Sequence, residues 1–181
     1  MKAIYRFGVA CIACLLFVTA HAENKVPKHS FKKSYDQMLA ELPNVRDQLS
    51  EKDLGSGMKR WIGAVPVGTA DAVIQITGNG KENITELTVL LLFTTKTNEN
   101  DYENAEYLRD VLFQGLIGRK DSFDYVNGFF TQEMQRQAPI IRAGGTPKRG
   151  VKTIGYGASE LSVEISPVPQ GFMALYSMRL L

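Results

Sequence analysis

The chain has 181 residues, with 21 Lys and Arg against 19 Asp and Glu, two histidines and two cysteines. Lys2, Arg6, Cys11, Cys14 and His21 all fall in the first 22 residues, which hold no acidic residue. Without that stretch 159 residues remain, with 19 cations against 19 anions, one histidine and no thiol. That composition excludes disulfides, cysteine nucleophiles and cysteine-based zinc sites, and a balanced charge argues against a dedicated nucleic-acid binder, whose phosphate contacts need an excess of Lys and Arg.

The first 22 residues read as a signal peptide. Lys2 and Arg6 form a positive start, residues 7–18 an apolar run, and Ala20-His21-Ala22 supplies the small residues that precede cleavage, expected between Ala22 and Glu23. The run is short of the roughly 20 apolar residues that a membrane span requires. Cys11 and Cys14 have Cys-x-x-Cys spacing, but a redox pair needs a helix N-terminus after a strand to lower its thiol pKa. Inside an apolar targeting segment the two are simply small apolar residues. The expected location is therefore the periplasm or the exterior, with membrane contact only through the signal peptide. In a eukaryotic secretory route, Asn83-Ile84-Thr85 would instead be a glycosylation acceptor.

Residues 23–33, with a proline, four lysines and His29, read as a flexible basic leader. Ser34 with Gln37 three residues on forms a capping box, and Tyr35, Met38, Leu39 and Leu42 share one face, predicting a helix of about two turns that ends near Pro43. Residues 44–53 predict a further short helical piece through Val45 and Leu49. From Trp61 the period becomes strand-like: residues 60–65 ahead of Pro66, residues 71–77, and residues 84–95, the last two joined across Gly78-Asn79-Gly80. The strand from Ile84 is apolar on both faces at its far end, as in a sheet centre, and Pro66 marks an edge or a bulge.

Asn100 and Glu103 signal a helix start, Ala105, Leu108, Leu112 and Leu116 continue it, and Gly118 ends it. A second helix is expected from Ser122, with Phe123, Val126, Phe129, Phe130 and Met134 on one face, ending before Pro139. Residues 142–150 read as a basic glycine-rich loop, followed by two closing strands at residues 161–166 and 171–181. The C-terminus is thereby expected to be structural. The order strands, helix pair, strands predicts one α+β domain over residues 34–181, with a mainly antiparallel sheet, a helical hairpin on one face and a short N-terminal helix.

His29 sits in the leader, where nothing would orient it for a catalytic triad. Asp101, Glu103 and Glu106, and then Asp121 and Asp124, gather at predicted helix starts, where the helix dipole favours acidic residues without any catalytic role. Residues 97–104 lack the spacing and turn glycine of an EF-hand. No catalytic residue, metal ligand or cofactor site is assigned. The candidate partner or anion contacts are Arg142, Lys148, Arg149 and Lys152, set around glycines whose amides would let an anion approach, together with Trp61 and Tyr156. The loop is no P-loop, since no Gly-Lys-Ser/Thr ends it.

These features favour a non-catalytic protein-interaction module of inhibitor, immunity or assembly-factor type, with a protein partner in the cell envelope. The alternative is a small-molecule or lipid carrier, its cavity lying between helix pair and sheet and lined by Phe123, Phe129, Phe130, Leu90 and Leu92. A carboxylate-based hydrolase stands third, because it needs two converging acids.

Overall fold

A computed structural model describes residues 31–118, 120–154 and 159–181. Residues 1–22, expected to be a signal peptide, together with His29 and Tyr156, lie outside the described residues. Two single-turn helices, α1 (Tyr35–Met38) and α2 (Pro43–Arg46), precede four strands: β1 (Ser50–Gly55), β2 (Met58–Val67), β3 (Ala70–Asn79) and β4 (Ile84–Thr94). A helical pair, α3 (Glu99–Ile117) and α4 (Lys120–Arg142), leads to β5 (Gly150–Ile154), β6 (Ser159–Val168) and β7 (Gly171–Leu180). All seven strands join one sheet in the order β1-β2-β3-β4-β7-β6-β5, and every pairing is antiparallel. The α+β architecture expected from the sequence is the one observed.

Alternation along the central strands sorts side chains onto two faces. Ile74, Ile76, Leu87, Val89, Leu91, Leu161, Val163, Tyr176 and Met178 point to the helices and are buried there with Ala105, Leu112, Phe113, Leu116, Val126 and Phe130. Phe130 is the keystone of this layer, with its ring 4.9 Å from Phe113 on α3 and 5.2 Å from Tyr176 on β7, both edge-on. Arg109 of α3 threads the same layer at 3% exposure. It lies over the Tyr176 ring at 4.7 Å and pairs with Glu106 and Asp110 at 3.0 and 2.7 Å. Burial raises the Tyr176 hydroxyl above the usual phenol range, against the pull of this guanidinium.

On the opposite face, Val73 and Leu90 form a separate small apolar cluster with Ile62, Ala64, Leu92, Met173 and Leu175 packed around it. None of the described helices contributes to it. Among the described residues, no helix is long and apolar enough to cross a membrane.

Several expectations need correction. The first helix is one turn, not two, although its capping box forms: Ser34 Oγ accepts from Gln37 N and Gln37 Oε1 from Ser34 N. The segment expected to be a second helical piece divides, because residues from Ser50 onward pair with β2 as strand β1. Phe31, placed in the flexible leader, is 4% exposed in the core, and its N–H bonds the Ile84 carbonyl at 3.0 Å. Helix α4 runs through Pro139 rather than stopping before it, since a proline removes only one amide donor and the Pro139 carbonyl still accepts from Ala143 N at 3.0 Å. A third closing strand, β5, begins at Gly150, the last residue of the expected basic loop.

Candidate functional site: the basic edge of the sheet

Residues 134–159 contain five cations, Arg136, Arg142, Lys148, Arg149 and Lys152, and no carboxylate. This is the longest stretch of the chain without a carboxylate, and the fold places it at one end of the sheet. Helix α4 ends at Arg142, residues 143–149 cross to the sheet edge, and β5 pairs with β6 alone. The outer main-chain groups of β5 therefore have no strand partner among the described residues.

The glycines of the loop are not an anion cradle. Gly144 has φ +76, a left-handed conformation that lets the chain leave the helix. Its N–H bonds the Ile141 carbonyl at 2.9 Å, and that of Gly145 bonds Ile140 at 2.8 Å. Both amides are thus spent closing α4, which removes the backbone part of the expected anion site and leaves the cations. Arg136 fixes the far side of the loop by donating to the Lys148 carbonyl at 2.7 Å, while its guanidinium pairs with Glu133 at 2.6 Å. That pairing holds the Glu133 carboxyl below its ordinary range. Glu133 also lies against Gly150, where a Cβ would collide with its carboxylate.

Arg142, Lys148 and Arg149 are exposed, and none of them or Lys152 is in an ion pair among the described residues. Arg149 reaches across the open face to Ser162 Oγ at 2.7 Å, and Ser162 in turn meets Ser177 Oγ at 2.7 Å. Lys152 points the other way, its ammonium 4.5 Å from the centroid of the half-exposed Tyr125 ring on α4. The two cations thus straddle the edge, one on each face. Between them Val151 is 52% exposed, one of the few large apolar side chains so placed.

Trp61 is elsewhere and cannot be a surface anchor. It is 2% exposed, its ring 4.8 Å from that of Tyr35, and its Nε1 donates to Glu51 Oε2 at 2.9 Å. The structure thus places four of the six candidate contacts between the end of α4 and β5, with Arg149 and Lys152 on opposite faces, buries Trp61, and does not describe Tyr156. Sequence reasoning missed β5 itself and with it Val151; the signal was the β-branched set Val151, Thr153 and Ile154, hidden behind a glycine-rich approach.

Of the carboxylates singled out by sequence, Asp101 and Glu106 are structurally engaged, while Glu103 and Asp124 are exposed. Asp101 accepts from Thr69 N at 2.9 Å, from Thr69 Oγ1 at 2.5 Å and from Asn98 Nδ2 at 2.9 Å, tying the start of α3 to the β2–β3 turn. Thr69 holds its carboxyl below the usual range. Glu106 binds Arg109 and accepts from Tyr102 at 3.2 Å, and burial with this neighbouring charge pushes the Tyr102 hydroxyl up to about 12. Two carboxyls are raised, Asp71 by burial and Glu86 by burial against the opposing pull of Arg179 and Arg60. Both lie on the open face, but Asp71 is registered with Leu92, six residues along β4 from Glu86. That is roughly 20 Å of strand, too far apart for the roughly 5–9.5 Å of a glycosidase pair.

The cavity lining named for a carrier also divides. Phe129 and Phe130 face the helix-covered layer, whereas Leu90 and Leu92 belong to the opposite face. Comparison with protein-family models, curated proteins and solved structures finds no match to this chain.

Proposed function

We propose that the chain is an exported, non-catalytic protein-interaction module of inhibitor, immunity or assembly-factor type, which takes a protein partner of the cell envelope at the β5 end of its sheet. The observation that carries this reading is an edge strand with no described strand beside it, flanked by Arg142, Lys148, Arg149 and Lys152 and by no carboxylate between residues 134 and 159. Unpaired strand edges are ready templates for another chain, and cations in no ion pair among the described residues select among chains, the nearby Glu133 and Glu160 being paired with Arg136 and Arg179. The engagement of Asp101 and Glu106 in holding α3, and the separation of Asp71 from Glu86, support a binding role over carboxylate catalysis.

The test is capture from envelope extract by the chain beginning at Glu23, tagged at its N-terminus, beside a triple variant with Arg142, Lys148 and Arg149 each changed to Ala. One stoichiometric protein retained by the wild type and lost by the folded variant is the expected result. An empty eluate, or equal retention by both, contradicts the reading. N-terminal sequencing of the exported protein is expected to begin at Glu23.

A further inference from the structure

We infer that β5 accepts an acidic extended segment of the partner as an eighth strand of the sheet, with two acidic residues three positions apart in that segment. The inference rests on the interaction reading above and specifies its chemistry. Strand addition satisfies main-chain groups along an open edge, while side chains on alternate faces supply selectivity. Along β5, Val151 and Thr153 share the open face with Ser162 and Glu160, their partners on β6, and Lys152 shares the helix-covered face with Leu161. Arg149, one residue before the strand, reaches to the open face at Ser162.

A strand laid beside β5 would therefore place one residue opposite Arg149 on the open face and one opposite Lys152 on the helix face, three positions apart. Carboxylates at both places meet cations that have no ion-pair partner among the described residues. The residue opposite Val151, 52% exposed, would be apolar. The pattern is acidic, any, apolar, acidic, read in either chain direction.

A second copy of this chain is a poor occupant. Antiparallel self-pairing centred on β5 sets Lys152 directly against its own equivalent, and like charges opposite one another oppose pairing. The basic stretch alone would also attract a polyanion such as an anionic membrane, but that attraction makes no use of the strand edge.

The probe is the peptide acetyl-Thr-Glu-Val-Val-Glu-Val-Thr-amide, which fits the pattern in both directions, titrated into the chain from Glu23 with backbone amide signals of residues 150–154 followed by NMR. Saturable binding that protects these amides from exchange is expected. Replacing the two adjacent valines by prolines, which removes main-chain donors, is expected to abolish it, and replacing both glutamates by glutamines to weaken it about tenfold. The double variant Arg149→Gln with Lys152→Gln should show the same loss toward the acidic peptide and none toward the glutamine peptide.

Equal binding of the proline peptide would overturn strand addition in favour of a charged patch, as would binding of anionic phospholipid vesicles that competes with the peptide and leaves residues 150–154 unprotected. Concentration-dependent dimerisation that protects β5 would overturn the choice of occupant. Failure of the peptide while an envelope protein is still captured removes this inference alone; failure of both removes the interaction reading as well.

Discussion

β1 and β5 close the two ends of one sheet with opposite chemistry. β1 offers Glu51, Lys52 and Asp53 in succession, and its register with β2 breaks between Asp53 and Gly55. Its acid is engaged from two sides, since Glu51 accepts from Lys59 Nζ at 2.5 Å and from Trp61 Nε1 at 2.9 Å. Mixed charge and an irregular register are devices that keep an edge from recruiting further strands. β5 has neither: its register with β6 is regular, its central residues are Val151, Lys152 and Thr153, and Lys152 is turned back over Tyr125. The contrast is between an edge whose Glu51 is engaged by its own neighbours and an edge whose Arg149 and Lys152 are in no ion pair among the described residues, the edge at which we propose that an acidic partner binds.

The comparison breaks most visibly at Trp61, which underpins the β1 end. Trp61→Ala is expected to cost about 3–5 kcal/mol in urea unfolding, while acidic-peptide binding at β5 persists under native conditions. Loss of both together would mean that the two edges are not independent. Next come two glycines. A Cβ on Gly63 would run into the backbone carbonyl of Gln48, just ahead of β1, whereas on Gly150 the nearest atoms it would meet belong to the Glu133 side chain. Gly63→Ala is therefore expected to cost about 1–3 kcal/mol and Gly150→Ala less, as read from urea midpoints.

Acid sharpens the contrast between carboxyls. The Glu51 carboxyl is held low by its bonds to Lys59 and Trp61, so its stabilising contribution is present above the unfolded value of about 4.3 and is lost as pH falls through the lower folded value. Glu86 is raised by burial, so protonation favours the fold. Its contribution is complete below about 4.3 and is lost as pH rises through the folded value. Glu51→Gln should accordingly destabilise at pH 7, and Glu86→Gln should stabilise by about 1 kcal/mol, with both differences fading in acid. Urea unfolding between pH 3 and 8 checks the signs. The smallest effect belongs to Lys152→Gln, expected to cost about 0.5–1 kcal/mol through the lost contact with Tyr125, well below its effect on peptide binding.

The centre of the sheet was legible because burial imposes a period. Val89 and Leu91 must face the helices and β3 must match them, so the sequence alternates where the structure does. The helix pair was legible for the same reason, with Gly118 at φ +68 marking the break between them. The edges were not, because a strand exposed along most of its length has no face to hide: Ser50 to Asp53 are all exposed, and their composition resembles a helix as much as a strand. For the candidate site, the cations could be read directly, but their arrangement could not. That Arg149 and Lys152 point to opposite faces follows only once Gly150–Ile154 is a strand, and that Gly144 and Gly145 serve α4 follows only once the helix passes Pro139.

The most direct test of the central claim is amide hydrogen exchange on the chain from Glu23, free and bound to its captured envelope partner, comparing residues 50–55 with residues 150–154. New protection confined to residues 150–154 and the loop before them is the predicted result. A complex that protects residues 50–55, or leaves residues 150–154 exchanging as in the free protein, would contradict the assignment of β5 as the recognition edge.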